Sequence, residues 1–256
     1  MGVGSGGAPS GVRLSVVLPA FREARVIADT LAALRDGLSG AAPGDLLELI
    51  VVDDGSDDAT VERARAAGAD RVIALGGNRG KGAAVRTGML AADGEVVVFT
   101  DADLQYPPDR IVAVLDRLGG EVGAVLATRG RTADGLLRRL GTHVVSRLAA
   151  LLVLRGEEFA QHRLGDTQCG LKAFRQDVAH EVFGRCRVDR FGFDVEVLLL
   201  LSLLGVPTVV ETVEATSGMR RSTVRVVRDG VGILRDLVGI RRRYRRGDYS
   251  SVTPDD

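Results

Sequence analysis

Short β-rich segments alternate with helical segments through the first half of the chain, and this alternation constrains the fold more than any other feature. The apolar runs that fit buried strands are Leu14–Leu18, Leu49–Val52, Arg71–Leu75, Val96–Thr100 and Ala124–Thr128. The intervals between them are long enough for crossover helices, which neighbouring parallel strands require. The sequence therefore predicts an α/β fold in which helices flank a mainly parallel sheet.

Helical periodicity fills the intervals between these strands. The predicted helices are Glu23–Leu38, Asp58–Ala67, Ala83–Ala92 and Pro108–Leu118. The third follows a Gly-rich segment and the fourth begins with proline, and both features are common at helix starts. Ligands of such folds bind beyond the carboxyl ends of the strands. We therefore expect the functional residues in the segments that directly follow the strands.

Amphipathic helices dominate the second half of the chain. Leu136–Leu154 combines an apolar face with several arginines. The other predicted elements are helices at Gln176–Phe183, Phe193–Leu204 and Thr223–Arg243 and a strand at Thr208–Val213. We expect one catalytic domain over residues 13–246, with flexible tails at 1–12 and 247–256.

Composition excludes several classes of protein. The 256 residues are 45% hydrophobic, enough for one large domain, and 34 basic residues balance 34 acidic ones. A chain without net charge has no global field for nucleic acid. Two cysteines and three histidines without Cys/His pairing argue against a disulfide scaffold and a zinc site. Because Met1–Gly11 lacks the features of a signal peptide and Val197–Val206 is too short to span a bilayer, we expect a cytoplasmic protein.

Two carboxylates and an amide follow the strand at Val96–Thr100. In extended backbone, residues two apart share a face, so Asp101, Asp103 and Gln105 would point the same way. Like charges that converge repel each other unless they bind a cation, and an all-oxygen set suits Mg²⁺ or Mn²⁺. The sequence therefore predicts a divalent metal site here, although a solvated acidic loop would show the same pattern.

Two further loops contain candidate ligand-binding residues. Asp53 and Asp54 follow the second predicted strand directly. A turn with a helix cap would not need two consecutive carboxylates before the cap. Such a carboxylate can accept hydrogen bonds from a base or a ribose. After the third strand, Gly76–Gly82 opens a helix and includes Arg79 and Lys81, which suits a diphosphate. Its spacing differs from the P-loop and from the GxGxxG fingerprint, and alone it would be an ordinary Gly-rich loop.

Taken together, these motifs resemble a known family. The motifs that carry the resemblance are Pro19–Glu23, Val52–Asp57, Asn78–Gly82, Asp101–Pro108, Thr128–Arg129, Asp166–Phe174 and Arg190–Glu196. In this order they resemble the GT-A catalytic domain of inverting family-2 glycosyltransferases. The later motifs are most similar to dolichyl-phosphate β-glucosyltransferases and other enzymes that glycosylate polyprenyl phosphates.

The resemblance implies a role for individual residues. The residues it places around the donor nucleotide are Pro19, Glu23, Asp53, Asp54 and Lys81. Those it places around the metal and the donor diphosphate are Asp101, Asp103 and Gln105. Those it implies on the acceptor side are Asp166, Gln168 and Lys172, and Asp194 either completes this side or only complements a helix dipole. Arg129 and Arg139 are further acceptor-side candidates, because arginines suit a phosphate. Asp101, Asp103 and Arg129 are therefore the candidate catalytic residues.

The expected activity is inverting transfer of a hexose, foremost glucose from UDP-glucose, to a polyprenyl phosphate. A phosphate monoester is largely dianionic at neutral pH, so this acceptor needs cations and no general base. Arg129, with Arg139 or its neighbour Arg138, can supply bidentate contacts. GDP-mannose as donor and a saccharide hydroxyl as acceptor are the alternatives. A nucleotidyltransferase and a non-catalytic nucleotide-binding module are further alternatives that the motifs favour less.

A lipid acceptor implies contact with a membrane. Arg241–Arg246 is a polybasic cluster, and Leu136–Leu154 offers an apolar face with arginines. Two such signals can hold a protein at an anionic surface. We therefore expect peripheral attachment at the inner face of the cytoplasmic membrane.

Overall fold

The computed structural model describes residues 13–129, 169–214 and 226–249, and of residues 45, 129 and 226–231 only the backbone. The strands are β1 (Leu14–Ala20), β2 (Leu47–Asp53), β3 (Arg71–Ala74), β4 (Val96–Thr100), β5 (Ala124–Arg129), β6 (Leu171–Arg175) and β7 (Thr208–Val213). The α-helices are α1 (Ile27–Leu38), α2 (Thr60–Ala66), α3 (Lys81–Ala91), α4 (Pro108–Leu115), α5 (Gln176–Arg185), α6 (Phe193–Leu203) and α7 (Val226–Arg246). A short 3₁₀ helix, Gly44–Leu46, precedes β2.

The described strands form one sheet in the order β3-β2-β1-β4-β6-β5-β7. β1 to β4 pair in parallel, as do β5 and β7, so the predicted mainly parallel sheet is confirmed. β6 is antiparallel to both of its neighbours, β4 and β5. This strand was not among the predicted elements, because five residues that include a lysine give little periodicity. Its first residue, Leu171, lies opposite Thr100, so β6 begins at the edge where β4 ends.

Helices cover both faces of the sheet, and the strand side chains alternate between two cores. Along β1, Val17 faces one core while Val16 and Leu18 face the other. Buried residues of α3, α5, α6 and α7 pack in the first core, and those of α1 and α4 pack in the second. Because β1 is buried on both faces, its residues are apolar except for the buried Ser15, as expected of a parallel strand.

Hydrogen bonds in the loops shift several predicted helix boundaries. α1 begins at Ile27 and not at Glu23, because residues 23–26 form a turn in which the Glu23 carbonyl accepts the N–H of Val26 at 3.0 Å. α2 begins at Thr60 and not at Asp58, whose carboxylate accepts the Thr60 N–H at 3.1 Å. Glu23 and Asp58, the first residues of the two predicted helices, therefore lie in the loops before α1 and α2.

The end of the described chain packs on the domain. α7 continues to Arg246, and Tyr249 is 4% exposed, so packing extends past the predicted domain boundary at residue 246. None of the helices in the described ranges combines the length and apolarity needed to cross a membrane. The predicted amphipathic stretch Leu136–Leu154 lies outside these ranges.

Gly88 is the position where α3 lies closest to the sheet. A Cβ atom there would overlap Val17 Cγ1 and lie 3.0 Å from Val52 Cγ2. Gly88→Ala should therefore lower the free energy of unfolding by about 1–3 kcal/mol, as overpacking does, in urea denaturation. Gly184→Ala in α5 is the control, because its Cβ would meet nothing within 4 Å. Equal losses of stability in both variants would contradict this account of Gly88.

Candidate active site

Loops from three parallel strands meet at one edge of the sheet. β1 and β2 end side by side, with Ala20 in register with Asp53, and β4 ends at Thr100 on the other side of β1. The segment that enters β6 reaches the same edge, because Leu171 pairs with Thr100. The predicted motifs after β1, β2 and β4 are thus brought together, as the strand directions require.

The segment after β4 is a turn and not extended backbone. Leu104 donates its N–H to the Asp101 carbonyl at 2.9 Å and has a φ of +50°, in the left-handed region. The prediction that Asp101, Asp103 and Gln105 share one face of a strand is therefore wrong for this segment. Both carboxylates still belong to one turn, and burial, followed by the charge of Asp101, raises the pKa of Asp103.

Asp101 lies between Lys81 and Gly170. Lys81, the first residue of α3, places its Nζ 2.5 Å from Asp101 Oδ1, and both side chains are 22% exposed. A Cβ atom at position 170 would overlap Asp101 Oδ2, so only glycine leaves room for the carboxylate in this position. The loop after β3, the loop after β4 and the entry to β6 therefore meet at one carboxylate.

Asp103 has one oxygen bound and one free among the described residues. Gln105 donates its Nε2 to Asp103 Oδ2 at 3.3 Å, whereas Oδ1 is buried without a hydrogen-bond partner. Burial, followed by the charge of Asp101, raises the pKa of Asp103 above its ordinary value. An unpaired buried carboxylate oxygen is costly, and a bound cation would satisfy it.

A buried ion pair between Lys172 and Asp194 lies close to Lys81. Lys172 of β6 donates to Asp194 of α6 at 2.6 Å and to the Cys169 carbonyl at 2.8 Å. Burial raises the pKa of Asp194 against the opposing charges of Lys172 and Lys81. For Lys81, burial would lower the ammonium pKa, yet Asp101 and Asp194 outweigh burial and raise that pKa. The site thus combines three carboxyl groups with two ammonium groups. They belong to Asp101, Asp103, Asp194, Lys81 and Lys172.

The residues present fit a divalent cation that takes some ligands from a substrate. The described residues contain no group of three or more His, Cys, Asp or Glu side chains able to hold a metal by themselves. Asp101 and Asp103 supply two carboxylates, and Asp103 Oδ1 is free to bind. Mg²⁺ is commonly held by one or two carboxylates plus substrate phosphates and water. Since Gln105 here donates to Asp103, its role as a metal ligand stays a prediction.

Asp53 and Asp54 play different roles at the end of β2. Both oxygens of Asp54 accept backbone N–H groups of the Gly-rich loop, from Arg79 at 2.7 Å and from Gly80 at 2.9 Å. Asp53 accepts the Ser56 N–H through Oδ2 at 3.0 Å, while its Oδ1 is buried without a partner among the described residues. Asp54 therefore shapes the loop, and Asp53 keeps an acceptor for a ligand.

The loop after β1 is fastened to the loop after β2. Arg22 has a φ of +59° and forms a bidentate ion pair with Asp57, with both contacts at 2.7 Å. Glu23 donates its N–H to Thr60 Oγ1 at 2.9 Å. Pro19, in β1, is half-buried at the same edge. These contacts hold the two loops together, and the strand register places Pro19 opposite Val52 and Ala20 opposite Asp53. The role of Pro19 and Glu23 at a nucleotide stays a prediction.

The structure also assigns a role to residues that the sequence analysis missed. Asp189 accepts the Ala83 N–H through its carbonyl at 3.0 Å, and its carboxylate pairs with Arg86 at 2.5 Å. The segment before α6 thus braces the start of α3, where Lys81 lies. No local pattern reveals this contact, because Arg86 and Asp189 are 103 residues apart.

The remaining predicted residues differ in what can be said of them. Lys172 and Asp194, predicted on the acceptor side, are 1% and 5% exposed. Arg129 is the last residue of β5, and only its backbone is described. The candidates that lie outside the described residues are Arg138, Arg139, Asp166 and Gln168.

Comparison with known proteins identifies relatives of this chain. Residues 15–183 match the model of the family described as Glycosyl transferase family 2. A dolichyl-phosphate beta-glucosyltransferase of Drosophila melanogaster is 36% identical over 214 residues, 77% of this chain and 64% of the relative. An undecaprenyl-phosphate 4-deoxy-4-formamido-L-arabinose transferase of Pseudomonas paraeruginosa is 32% identical over 180 residues, 68% of this chain and 50% of the relative. The chain thus spans less than two thirds of either protein.

A solved structure shares the fold. Glucosyl-3-phosphoglycerate synthase from Mycobacterium tuberculosis, in complex with Mn²⁺, UDP-glucose and phosphoglyceric acid, matches with a TM-score of 0.62 and 25% identity. The match covers 96% of this chain and 82% of that one. These comparisons confirm the predicted resemblance and the predicted α/β fold.

Gly170 provides a test of how the site is built. Gly170→Ala would push the Asp101 carboxylate away from its present position. We expect Mn²⁺ affinity, measured by electron paramagnetic resonance with UDP present, to fall by about 10-fold or more, as for other changes beside a metal ligand. Gly119→Ala, whose Cβ would meet nothing within 4 Å, should leave Mn²⁺ affinity unchanged. Wild-type Mn²⁺ affinity in Gly170→Ala would show that Asp101 does not hold the metal.

Proposed function

The chain belongs to glycosyl transferase family 2, and we propose that it transfers glucose from UDP-glucose to a polyprenyl phosphate with inversion at the anomeric carbon. The observation that carries the proposal is the convergence of Lys81, Asp101 and Asp103 at the edge of the sheet where Asp53 keeps a free oxygen. The names of the two relatives, which refer to dolichyl phosphate and undecaprenyl phosphate, support a lipid phosphate as acceptor.

In this proposal the donor nucleotide lies across the ends of β1 and β2. The unpaired Asp53 Oδ1 accepts a hydrogen bond from the base or the ribose, beside Pro19 and Glu23. Asp54 binds the backbone of Arg79 and Gly80 and so fixes the start of α3 near the diphosphate. A helix N-terminus with a lysine at its first position suits that anion.

Cleavage of the anomeric C–O bond builds negative charge on the departing diphosphate. Asp101 and Asp103 would hold a divalent ion, which would supply positive charge there, and the Mn²⁺ in the mycobacterial structure supports this choice of cation. Lys81 provides a second cation from the protein itself. Its raised ammonium pKa keeps it charged at neutral pH, so it can bind a diphosphate oxygen when the donor is present.

The acceptor phosphate attacks without a general base in this mechanism. Its dianion is already nucleophilic near neutral pH, so the protein must hold and orient it. Arg129, at the end of β5, and Arg139 are proposed to bind its oxygens, with Asp166 and Gln168 nearby. Because Lys172 and Asp194 are buried, we propose that they do not contact the acceptor. Asp194 instead stabilises the charged form of Lys81, and Lys172 holds Asp194 in place.

Transfer assays with labelled donors test this proposal. Purified protein is incubated with Mn²⁺, undecaprenyl phosphate and either UDP-[¹⁴C]glucose or GDP-[¹⁴C]mannose, and the lipid product is separated by thin-layer chromatography. We expect the wild-type protein to form labelled lipid from UDP-glucose. The Asp103→Asn variant should form none from either donor. The variant should keep or slightly raise its melting temperature, because Asp103 Oδ1 is buried without a partner among the described residues and an amide of the same shape removes the buried charge.

The other outcomes of the same assay separate the alternatives. Product from GDP-mannose alone would correct the donor and keep the acceptor. A parallel reaction replaces the lipid with phosphoglyceric acid, the compound bound in the mycobacterial structure, and product there without lipid product would rule out the lipid acceptor. Full activity of Asp103→Asn, or full activity in excess EDTA, would reject the metal-assisted mechanism.

We further propose that α7 contacts an anionic membrane surface. Leu234 and Val238 are 44% and 55% exposed, and Arg242 and Arg245 continue the same helical face at spacings of four and three residues. An apolar patch continued by cations fits a bilayer that contains acidic headgroups. Arg243 is excluded from this surface, because it contacts the buried Glu196 at 3.4 Å.

Vesicle binding tests this surface. Replacing Arg242, Arg245 and Arg246 with Gln should reduce co-sedimentation with phosphatidylglycerol vesicles at low salt, since each arginine contributes about 1 kcal/mol near headgroups. Replacing the exposed Arg13, Arg25 and Arg65 removes the same charge elsewhere and serves as the control. Both variants should keep turnover on a detergent-dispersed acceptor. Equal loss of binding in both would show that only net charge matters.

A further inference from the structure

Glu196 is a fully buried carboxylate that takes no part in the mechanism above. Its Oε2 accepts the backbone N–H groups of Arg187 at 2.8 Å and Val188 at 2.7 Å. Its Oε1 accepts the Tyr249 hydroxyl at 2.5 Å and faces Arg243 at 3.4 Å. The side chain is 0% exposed, and its contacts with Val188 and Tyr249 are buried, so the loss of either partner is costly. One carboxylate therefore joins two segments that are distant in sequence.

The first of these segments is the end of the described chain. Tyr249 is held at both ends, because its carbonyl also accepts a hydrogen bond from Arg185 at 3.0 Å. Nearby, Asp236 of α7 accepts the Gly192 N–H at 3.2 Å, and a Cβ at Gly192 would overlap the Asp236 side chain. α7 and Tyr249 are thus docked closely on the start of α6.

The second segment, residues 186–190, lies against the Lys81 loop. A Cβ at Gly80 would come within 2.5 Å of the Asp189 carbonyl oxygen, and a Cβ at Gly82 within 2.6 Å of the Val188 carbonyl oxygen. Asp189 also accepts the Ala83 N–H at 3.0 Å. The glycines on either side of Lys81 are therefore in contact with the segment that Glu196 holds.

We propose that Glu196 is a positioning residue that links the docking of α7 and Tyr249 to the affinity of the Lys81 loop for the nucleotide. The path runs from the Tyr249 hydroxyl through Glu196 to the backbone of Val188 and Asp189, and from there to Gly80–Gly82. Loss of the hydroxyl leaves Glu196 with one partner fewer and loosens the segment that supports Lys81. The proposal rests on the proposed function in that this loop binds the donor diphosphate.

The test compares Tyr249→Phe with Tyr244→Phe. Both variants remove one hydroxyl from the same end of the chain, but Tyr244 is 45% exposed. Isothermal titration calorimetry gives the Kd for UDP with Mn²⁺ present. The titrations are run at one temperature at which all the proteins are folded. We expect Tyr249→Phe to raise this Kd by about 3- to 10-fold, part of what a hydrogen bond to a charged group contributes, and Tyr244→Phe to leave it unchanged. At saturating donor, kcat should stay near the wild-type value, because the bound donor and the transition state lose the same support from the Lys81 loop.

Hydrogen exchange supplies a readout that does not depend on the proposed function. Amides of residues 79–84 and 186–190 should exchange faster in Tyr249→Phe than in wild type, and those of β1 should not. Glu196→Gln, which keeps an acceptor oxygen, should lie between wild type and Glu196→Ala in both exchange and Kd. A lower melting temperature with unchanged exchange at 79–84 would overturn the proposal. If wild type binds no UDP while exchange changes as expected, the proposed function fails and the linkage stands.

Discussion

The ammonium group of Lys81 lies where the fold gathers several carboxylates, and the site depends on that placement. Asp101 and Asp103 come from the turn after β4, and Asp194 comes from α6 behind them. Without a cation among them, these side chains would repel one another in a partly buried setting, and their pKa values would rise until some became neutral. Lys81 is held by the N-terminus of α3, so the position of a helix sets the electrostatics of the site.

That helix start is itself built from distant parts of the chain. Asp54 accepts the backbone N–H of Gly80, just before Lys81. Segment 186–190 accepts the N–H of Ala83, just after Lys81, through the Asp189 carbonyl. Both supports act on the backbone, so they fix the loop without restricting the lysine side chain. In the proposed function, Lys81 keeps its backbone in place and exchanges Asp101 for a diphosphate oxygen. A fixed backbone with an unrestrained charged end suits a group that binds the donor and later releases the product.

The sequence reveals those parts of the site that lie within one motif. Asp101, Asp103 and Lys81 follow predicted strands or open predicted helices, and the strand directions alone bring them to one edge. The supporting contacts could not be predicted, because they join residues far apart. Glu196 and Tyr249 are separated by 53 positions. The different roles of Asp53 and Asp54 were also hidden, since adjacent identical residues give no pattern to separate them. For Asp101 and Asp103 the expected proximity was right although the assumed extended backbone was wrong.

The position of β6 bears on how the protein is made. β5 pairs with β6 and β7 and, among the described strands, with neither β4 nor any earlier one. During synthesis the first 129 residues can therefore form β1 to β4, but β5 has no place in the sheet until residues 171–175 leave the ribosome. Until then β4 exposes an unpaired apolar edge, which is the surface that chaperones bind and that aggregation exploits. A fragment that ends at residue 129 would contain the loops after β1, β2 and β3 without the support of residues 186–190, and it would expose this edge permanently.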